Sequence, residues 1–238
     1  SMLVIISYLE KELQNKDEIL FEVLNPDVNI DIYAGEILKI ENKEFIYRSY
    51  KSWCDLAELL FCKMLISSIT LNTVVIKLQK LNKNDSFHKD LNDEKNEKYG
   101  EKSTFFRINK NEEPAFLYAY MNALKNVKIE EKTNILNLGI NKADEFEIIK
   151  EMVNEDIFKQ MNFVGVDYSL SAIDFAKKRF PYENFNFFNH DINKLNELNL
   201  KKSDLIISIG TLQSSSLNFK LLFMDLIQNY LEDKGSII

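Results

Sequence analysis

The sequence is poor in the residues from which metal centres and disulfide frameworks are built. Its 238 residues include only two cysteines and two histidines, and no spacing of Cys and His suggests a zinc site. Cys54 and Cys62 fall in a predicted helix, where eight residues at about 1.5 Å each put them roughly 12 Å apart. This distance is too long for a disulfide, so we expect reduced thiols and a cytoplasmic protein. No set of Ser, His and Asp indicates acyl transfer.

Positive charge and long apolar runs are also scarce. There are 30 Lys and Arg residues against 37 Asp and Glu residues, which gives a formal net charge of -7. Nucleic-acid binders usually carry a strongly basic face, so we expect no nucleic-acid partner. The apolar start MLVIIS is far shorter than a membrane-spanning helix and has neither a basic region before it nor a small-residue cleavage site. We therefore expect no signal peptide and no membrane partner.

The first third of the chain mixes strand and helix patterns. Residues 28–48 alternate apolar and polar side chains on either side of a Glu-Asn-Lys turn, which predicts an antiparallel hairpin. Apolar residues then recur at three- and four-residue steps over 53–64, which predicts a helix. Residues 73–81 are rich in β-branched side chains and predict another strand. Residues 1–81 are therefore predicted to form a small α+β domain.

Charged residues of both signs dominate residues 82–110, where apolar side chains become sparse. We predict that this stretch is a linker or lid, mobile unless a ligand orders it. Residues 111–238 form the second predicted domain, and its first helix has Pro114 near its start.

The second domain alternates strands with helices, the pattern of a parallel sheet covered by helices. The predicted fold is α/β, a Rossmann-like and mostly parallel sheet preceded by the small α+β domain. The sequence ends within the fifth strand, so we expect further C-terminal strands. Without them an apolar edge favours association, and a homo-oligomer is one outcome. The predicted strands are NILNL, NFVGVD, NFNFFN, SDLIISI and GSII, and the predicted helices span residues 144–154, 170–179 and 218–231.

Glycine or aspartate stands at the end of four of these strands. In open parallel sheets, ligands bind beyond the carboxyl ends of the strands. Asp167 lies about 28 residues beyond Gly139 and is suited to accept hydrogen bonds from a ribose diol. The four strand-end residues are Gly139, Asp167, Asp191 and Gly210, the last opening the run GTLQSSS.

These blocks resemble class I S-adenosylmethionine-dependent methyltransferases from about Pro114 to the C-terminus. The resemblance implies S-adenosylmethionine as the cofactor and S-adenosylhomocysteine as the product. The first motif of that family is an acidic residue two positions before a Gly-x-Gly-x-Gly loop. Here Asn137 stands at the acidic position, and Asn141 and Ala143 replace the second and third glycines. By the same resemblance, Asp167 binds the ribose, Asp191 contacts the adenine amino group and Ile192 packs on the adenine ring. The cofactor-binding residues that the resemblance implies are Asn137, Gly139, Asn141, Asp167, Tyr168, Asp191, Ile192 and Gly210.

The glycine-poor loop raises the question of whether the cofactor still binds. The chain needs positive φ here, and Asn enters the left-handed region more readily than most residues, so we expect Asn141 to hold the turn. Asn137 keeps an acceptor oxygen but loses the negative charge that attracts the ammonium group of the cofactor. We therefore expect weakened, not abolished, binding. Asp144 and Glu145 at the helix start would repel a diphosphate, which disfavours a dinucleotide. Lys142 is unfavourable beside a sulfonium unless it points away or pairs with an acid.

The joining region and the run GTLQSSSLNF are similar to methyltransferases found with bacterial capsular polysaccharide genes, notably those for O-methyl phosphoramidate decoration. This narrower resemblance implies O-methyl transfer to a small polar or anionic acceptor, such as a phosphoramidate or a sugar-linked intermediate.

Candidate acceptor-binding and catalytic residues depend on the charge of that acceptor. Arg107, Lys110 and Gln213 are candidates to position an anionic acceptor. A neutral hydroxyl instead requires a proton acceptor, for which His88 is the candidate. His88 as a solvated loop residue and Arg107 as an exposed surface cation are the open alternatives. His190 either lines the adenine pocket or simply ends a strand. The competing interpretation of the whole chain is a catalytically inactive scaffold that stabilises an active partner subunit.

Overall fold

The computed structural model describes residues 1–27, 32–40, 42–82, 97–214 and 217–238. The chain divides into two compact units, Ser1–Ser86 and Phe87–Ile238. Within the described residues, no helix is both long enough and apolar enough to cross a membrane.

The first unit is built on a three-stranded antiparallel sheet in the order β1-β5-β4. Helices α1 and α2 contribute Leu9, Trp53 and Leu56 to a core shared with the buried face of β5. The predicted hairpin is confirmed where β2 pairs with β3, while its first residues, 28–31, lie outside the described part. The elements are α1 (Met2–Leu13), β1 (Glu18–Leu24), β2 (Ile37–Ile40), β3 (Lys43–Ile46), α2 (Tyr50–Leu59), β4 (Cys62–Ile69) and β5 (Thr73–Lys80).

The helix predicted over residues 53–64 is wrong in its second half. Helix α2 ends at Leu59, Phe61 turns the chain with φ of 53°, and Cys62 begins strand β4. Strand β4 pairs with β5 along nearly its whole length, so tertiary pairing overrides the local helical periodicity. The helical separation inferred for the two cysteines therefore does not apply, although Cys54 and Cys62 are both free thiols.

The second unit begins with two short 3-10 turns, Phe105–Arg107 and Lys110–Glu112. The first four predicted strands and the predicted helix with Pro114 at its start are confirmed. The fifth strand begins at Leu231, four residues before the predicted GSII and at the last residue of the helix predicted over 218–231. The unit also contains a short helix, Glu155–Gln160, that the periodicity did not predict. The elements are α3 (Pro114–Asn126), β6 (Asn134–Leu138), α4 (Asp144–Met152), α5 (Glu155–Gln160), β7 (Asn162–Asp167), α6 (Leu170–Arg179), β8 (Phe185–Asn189), β9 (Ser203–Ile207), α7 (Phe219–Asp225) and β10 (Leu231–Ile237).

The five strands of this unit form one parallel sheet in the order β10-β9-β6-β7-β8. An aromatic cluster around Phe146 and Phe163 covers one face, and an aliphatic cluster around Leu138 and Ile206 covers the other. Burial on both faces explains why β6, β7 and β9 are mostly apolar, whereas the edge strands β8 and β10 carry exposed polar residues. The predicted α/β, Rossmann-like fold is confirmed. The strand order reverses between β6 and β9, where open sheets of this kind bind ligands.

Residues 97–113, here called the cover segment, pack against the rest of the second unit. Phe106 meets Phe175 of α6 edge to face, with ring centroids 5.1 Å apart. Asn141 donates a hydrogen bond from its side chain to the Tyr99 carbonyl at 2.7 Å. The described part of the predicted linker, residues 97–110, therefore folds as part of the second unit.

Candidate functional site

The turn after β6 has a left-handed backbone at each of the three positions that glycine would occupy. The φ angles are 72° at Gly139, 47° at Asn141 and 63° at Ala143. The expected conformation of Asn141 is therefore confirmed. For Ala143, which has neither the freedom of glycine nor the local hydrogen bonding of asparagine, this conformation costs roughly 1–2 kcal/mol. The glycine-type turn persists although two of its three glycines are gone.

Gly139 is also required by the close approach of the loop after β9. A Cβ at this position would strike the Thr211 hydroxyl and come within 2.8 Å of Thr211 Cγ2. The same hydroxyl donates a hydrogen bond to the Leu138 carbonyl at 3.0 Å. Thr211 thus ties the β9 loop to the β6 turn at the point where the strand order reverses.

Asp167, at the end of β7, is joined directly to this turn. Its Oδ2 accepts a hydrogen bond from the Asn141 backbone N–H at 2.8 Å, and its Oδ1 accepts one from the Ser169 N–H at 2.9 Å. Burial raises the pKa of Asp167, although these backbone donors act in the opposite direction. A carboxylate has about four acceptor positions, and Asp167 is only partly buried. Acceptor capacity for a ligand hydroxyl therefore remains, which fits a ribose.

The cover segment places a second carboxylate beside Asp167. Glu97 accepts hydrogen bonds from the hydroxyls of Ser169, at 2.9 Å, and Ser171 at the start of α6. Burial raises the pKa of Glu97, but the hydrogen bonds from Ser171 and Ser169 outweigh it, so the pKa is lowered. Sequence reasoning missed Glu97 because an acid within a mixed-charge stretch gives no signal of a contact 72 residues away.

Lys142 points away from the turn. Its Nζ donates hydrogen bonds to the carbonyls of Ile108, at 2.6 Å, and Phe106, at 3.1 Å, in the cover segment. Asp144 lies 3.6 Å from this ammonium and 2.6 Å from Arg179 Nη1. Both cations therefore bind Asp144, and Lys142 also binds the cover segment, so the conflict between Lys142 and a sulfonium expected from the sequence does not arise.

The Glu145 side chain extends from helix α4 towards strand β6. Asn137 is 1% exposed, and its Nδ2 donates to Glu145 Oε2 at 3.4 Å. Burial and the neighbouring Asp144 raise the pKa of Glu145 to about 7, while Lys110 and Asn137 act to lower it. The acidic group that β6 lacks is therefore present on the next element.

A cavity of about 480 Å³ opens beyond the end of β9. Gly210 turns the chain there with φ of 73°, and a Cβ on it would lie 3.8 Å from Gln213 Nε2 and 3.9 Å from Lys110 Nζ. Within the described residues, the buried Ser208 Oγ has no hydrogen-bond partner. The cavity is lined by Ser208, Gly210, Leu212, Gln213, Ser214, Leu217 and Phe219.

The predicted adenine-side residues lie at the end of β8. Asp191 Oδ1 accepts hydrogen bonds from the backbone and side chain of Asn193, at 2.9 and 3.0 Å. Ile192 packs in the aliphatic core, and His190 lies near the Lys194 carbonyl, at 3.1 Å. Tyr168 is 53% exposed beside Asp167. Their roles as cofactor residues stay predictions.

The two candidate catalytic residues are not brought together by the described structure. His88 lies outside the described residues, and Arg107 is exposed on the first 3-10 turn of the cover segment. Both assignments stay predictions. Among the described residues, no group of His, Cys, Asp and Glu is arranged to hold a metal ion.

Comparison with known proteins places a family match on this part of the chain. Residues 129–238 match the family model described as "Methyltransferase domain". This range contains β6 to β10 and the turn, strand ends and cavity described above. The family match implies S-adenosylmethionine as the cofactor. No curated protein matches the chain.

Several solved methyltransferases are similar in structure. The plantazolicin methyltransferase BpumL in complex with SAH is 16% identical, with 60% of this chain and 55% of that chain covered and a TM-score of 0.45. The SAH-bound methyltransferase PaMTH1 of Podospora anserina is 15% identical, with half of each chain covered and a TM-score of 0.40. A SAM-dependent methyltransferase from Aquifex aeolicus is 17% identical, with 48% of this chain and 58% of that chain covered and a TM-score of 0.38. The chain thus spans about half the length of these proteins.

Proposed function

We propose that this protein is an S-adenosylmethionine-dependent methyltransferase that acts on a small polar or anionic acceptor. The observation that carries the proposal is the hydrogen bond between the Asn141 N–H and the Asp167 carboxylate. It fixes a glycine-type turn and an acidic strand end side by side at the carboxyl ends of β6 and β7, next to the reversal of strand order between β6 and β9, where such sheets bind ligands. The family match of residues 129–238 supports it.

Different residues of the site are assigned to bind different parts of this cofactor. Asp167 accepts hydrogen bonds from the ribose hydroxyls, and the backbone of the Gly139 turn lies against the body of the cofactor. Asp191 and Ile192 lie at the end of β8, on the adenine side. The bound cofactor supplies an electrophilic methyl group on a sulfonium. The protein's contribution is to hold the acceptor close to that methyl and in line with it.

The cavity after β9 is the acceptor site in this proposal. Gln213 Nε2 approaches Gly210 there, and within the described residues the buried Ser208 hydroxyl has no hydrogen-bond partner. An amide and a hydroxyl donor suit an anionic oxygen, such as that of a phosphoramidate or a sugar-linked intermediate of capsular polysaccharide synthesis. An anionic acceptor needs no base and undergoes O-methyl transfer directly. Arg107 is a further candidate to position an anionic acceptor, whereas a neutral hydroxyl acceptor would instead use His88 as proton acceptor.

Calorimetric titration with S-adenosylmethionine and S-adenosylhomocysteine tests the proposal. The protein should bind both saturably, and Asp167→Asn should bind at least about ten-fold more weakly because charge-assisted hydrogen bonds contribute about 1.5–3 kcal/mol. Asp174→Asn, an exposed acid on the same α6 helix, is the matched control and should bind as the wild type does. Absence of binding to either compound would favour the inactive scaffold. Mass spectrometry of a copurifying ligand gives an independent reading.

A further inference from the structure

The site contains a carboxylate, Glu145, that the cofactor roles above do not use. The residue as a whole is partly buried, and its carboxylate lies against Asn137, the strand residue that precedes the Gly139 turn by two positions. Glu145 thus presents negative charge where β6 itself offers only an amide.

Glu145 forms no ion pair within the described residues, unlike its neighbours. Arg179 pairs with both Asp144 and Glu147, and Lys142 also lies beside Asp144. An acid that serves only the fold is usually paired when it is withdrawn from water, because an unpaired charge there is costly. A carboxylate without a salt-bridge partner at a ligand crevice is suited to a cation that the ligand brings.

A positive group faces the same region. Lys110 acts electrostatically on Glu145, and its Nζ lies 5.8 Å from the ring centroids of both Phe105 and Phe116. The Lys110 ammonium also approaches Gly210, at the end of β9. One carboxylate and one ammonium beside the crevice between β6 and β9 complement an amino-acid zwitterion, which carries one group of each sign.

We propose that Glu145 binds the α-ammonium group of the cofactor's amino-acid end and that Lys110 faces its α-carboxylate. This inference rests on the proposed function. It assigns the acidic role that Asn137 cannot fill to a residue eight positions later, on the first turn of α4.

The test compares S-adenosylhomocysteine with 5′-methylthioadenosine, which keeps the adenosine and the thioether but has no amino-acid end. Glu145→Gln should weaken S-adenosylhomocysteine binding about ten-fold or more and leave 5′-methylthioadenosine binding within about two-fold, because one charge-assisted contact is removed. Glu151→Gln, an exposed acid on the same helix, should change neither affinity. Calorimetry measures both.

A second variant keeps the test decisive if Glu145→Gln folds poorly. Lys110→Met preserves an unbranched side chain beside the two rings, and it should also weaken S-adenosylhomocysteine binding while sparing 5′-methylthioadenosine. Equal affinity of the wild type and both variants for S-adenosylhomocysteine would overturn the inference, as would equal weakening of the two compounds. A wild-type protein that binds neither compound would instead overturn the proposed function, so the two failures are distinguishable.

Discussion

At the scale of single residues, the turn after β6 separates two properties of glycine. Positive φ is maintained at Asn141 and Ala143 without glycine, whereas Gly139 also needs the absence of a Cβ because Thr211 lies against it. Glycine is therefore replaceable at the positions that require only a positive φ. The one remaining glycine stands where conformation and space are both limiting.

Gly139→Ala should therefore destabilise more than an equivalent substitution at Gly35. Gly35 also has positive φ, 100°, but a Cβ there would meet nothing within 4 Å, so Gly35→Ala should cost about 1–2 kcal/mol from backbone strain. Gly139→Ala adds a clash with Thr211 and should cost about 2–4 kcal/mol in total. Hydrogen exchange of core amides in each unit measures the two costs separately. Similar costs would show that the Thr211 contact relaxes easily.

The raised pKa of Glu145 predicts a stability effect that depends on pH. Asp144, Lys110, Asn137 and the Glu145 backbone N–H act on this carboxyl, while the Tyr120 hydroxyl donates to the Glu145 backbone carbonyl at 3.4 Å. The folded-state pKa of about 7 lies above the ordinary glutamate value of 4.5, so the folded protein binds the proton more tightly than the unfolded chain does. The free energy of unfolding should therefore fall as pH rises from about 4.5 through 7, by up to about 3 kcal/mol.

Glu145→Gln removes this titration. At pH 8 the variant should be more stable than the wild type by about 2 kcal/mol, and near pH 5 the difference should shrink towards zero. Denaturant unfolding at the two pH values measures this, with Glu151→Gln as the control. A difference that does not change with pH would contradict the assignment of the raised pKa to Glu145. Greater stability combined with weaker S-adenosylhomocysteine binding would distinguish a ligand-binding acid from a structural one.

At the scale of elements, Glu97 supplies the charged contact between the cover segment and α6. The Phe106–Phe175 ring contact and the hydrogen bond from the Glu101 N–H to Ser171 Oγ also join the two. Glu97→Gln should weaken its hydrogen bonds with the Ser169 and Ser171 hydroxyls by about 1–2 kcal/mol, because charge-assisted hydrogen bonds are the stronger ones. Amides of the cover segment should then exchange faster while those of β6 keep their rates. Glu101→Gln, at an exposed position of the same segment, is the control. Unchanged exchange in the cover segment would show that its aromatic contacts suffice.

Elements with continuous apolar runs were predictable from the sequence, whereas contacts between elements were not. Strands β6, β7 and β9 are mostly buried and apolar, so their composition alone identified them. The end of α2 was mispredicted because residues 60–64 fit a helical pattern, whereas the chain from Cys62 onward pairs with β5 as a strand. At the site, the conformation of Asn141 followed from the preferences of asparagine. The approach of Glu145 to Asn137 and of Glu97 to Ser169 depends on folding of distant segments, which no local pattern encodes.

At the scale of the whole molecule, each unit has its own core, and the proposed site is built from the second unit alone. Its parts come from segments far apart in sequence: the cover segment, the turn after β6, the end of β7 and the loop after β9. A ligand bound there contacts the second unit and stabilises that unit directly. Whether the first unit gains as well depends on whether the two units unfold together.

Saturating S-adenosylhomocysteine should accordingly protect the two units differently. At about 100 times the dissociation constant, binding to the native state alone adds about 2.7 kcal/mol. Amides in β6 and β9 that exchange only on unfolding of their unit should then slow about 100-fold, because exchange follows the open population. Amides in β5 should keep their rates, and the thermal transition reported by Trp53, the single tryptophan, which is buried in the first unit, should not shift. Equal slowing in β5 would mean that the two units unfold as one. No slowing in either unit would mean that the turn and Asp167 form a crevice that no longer binds this cofactor.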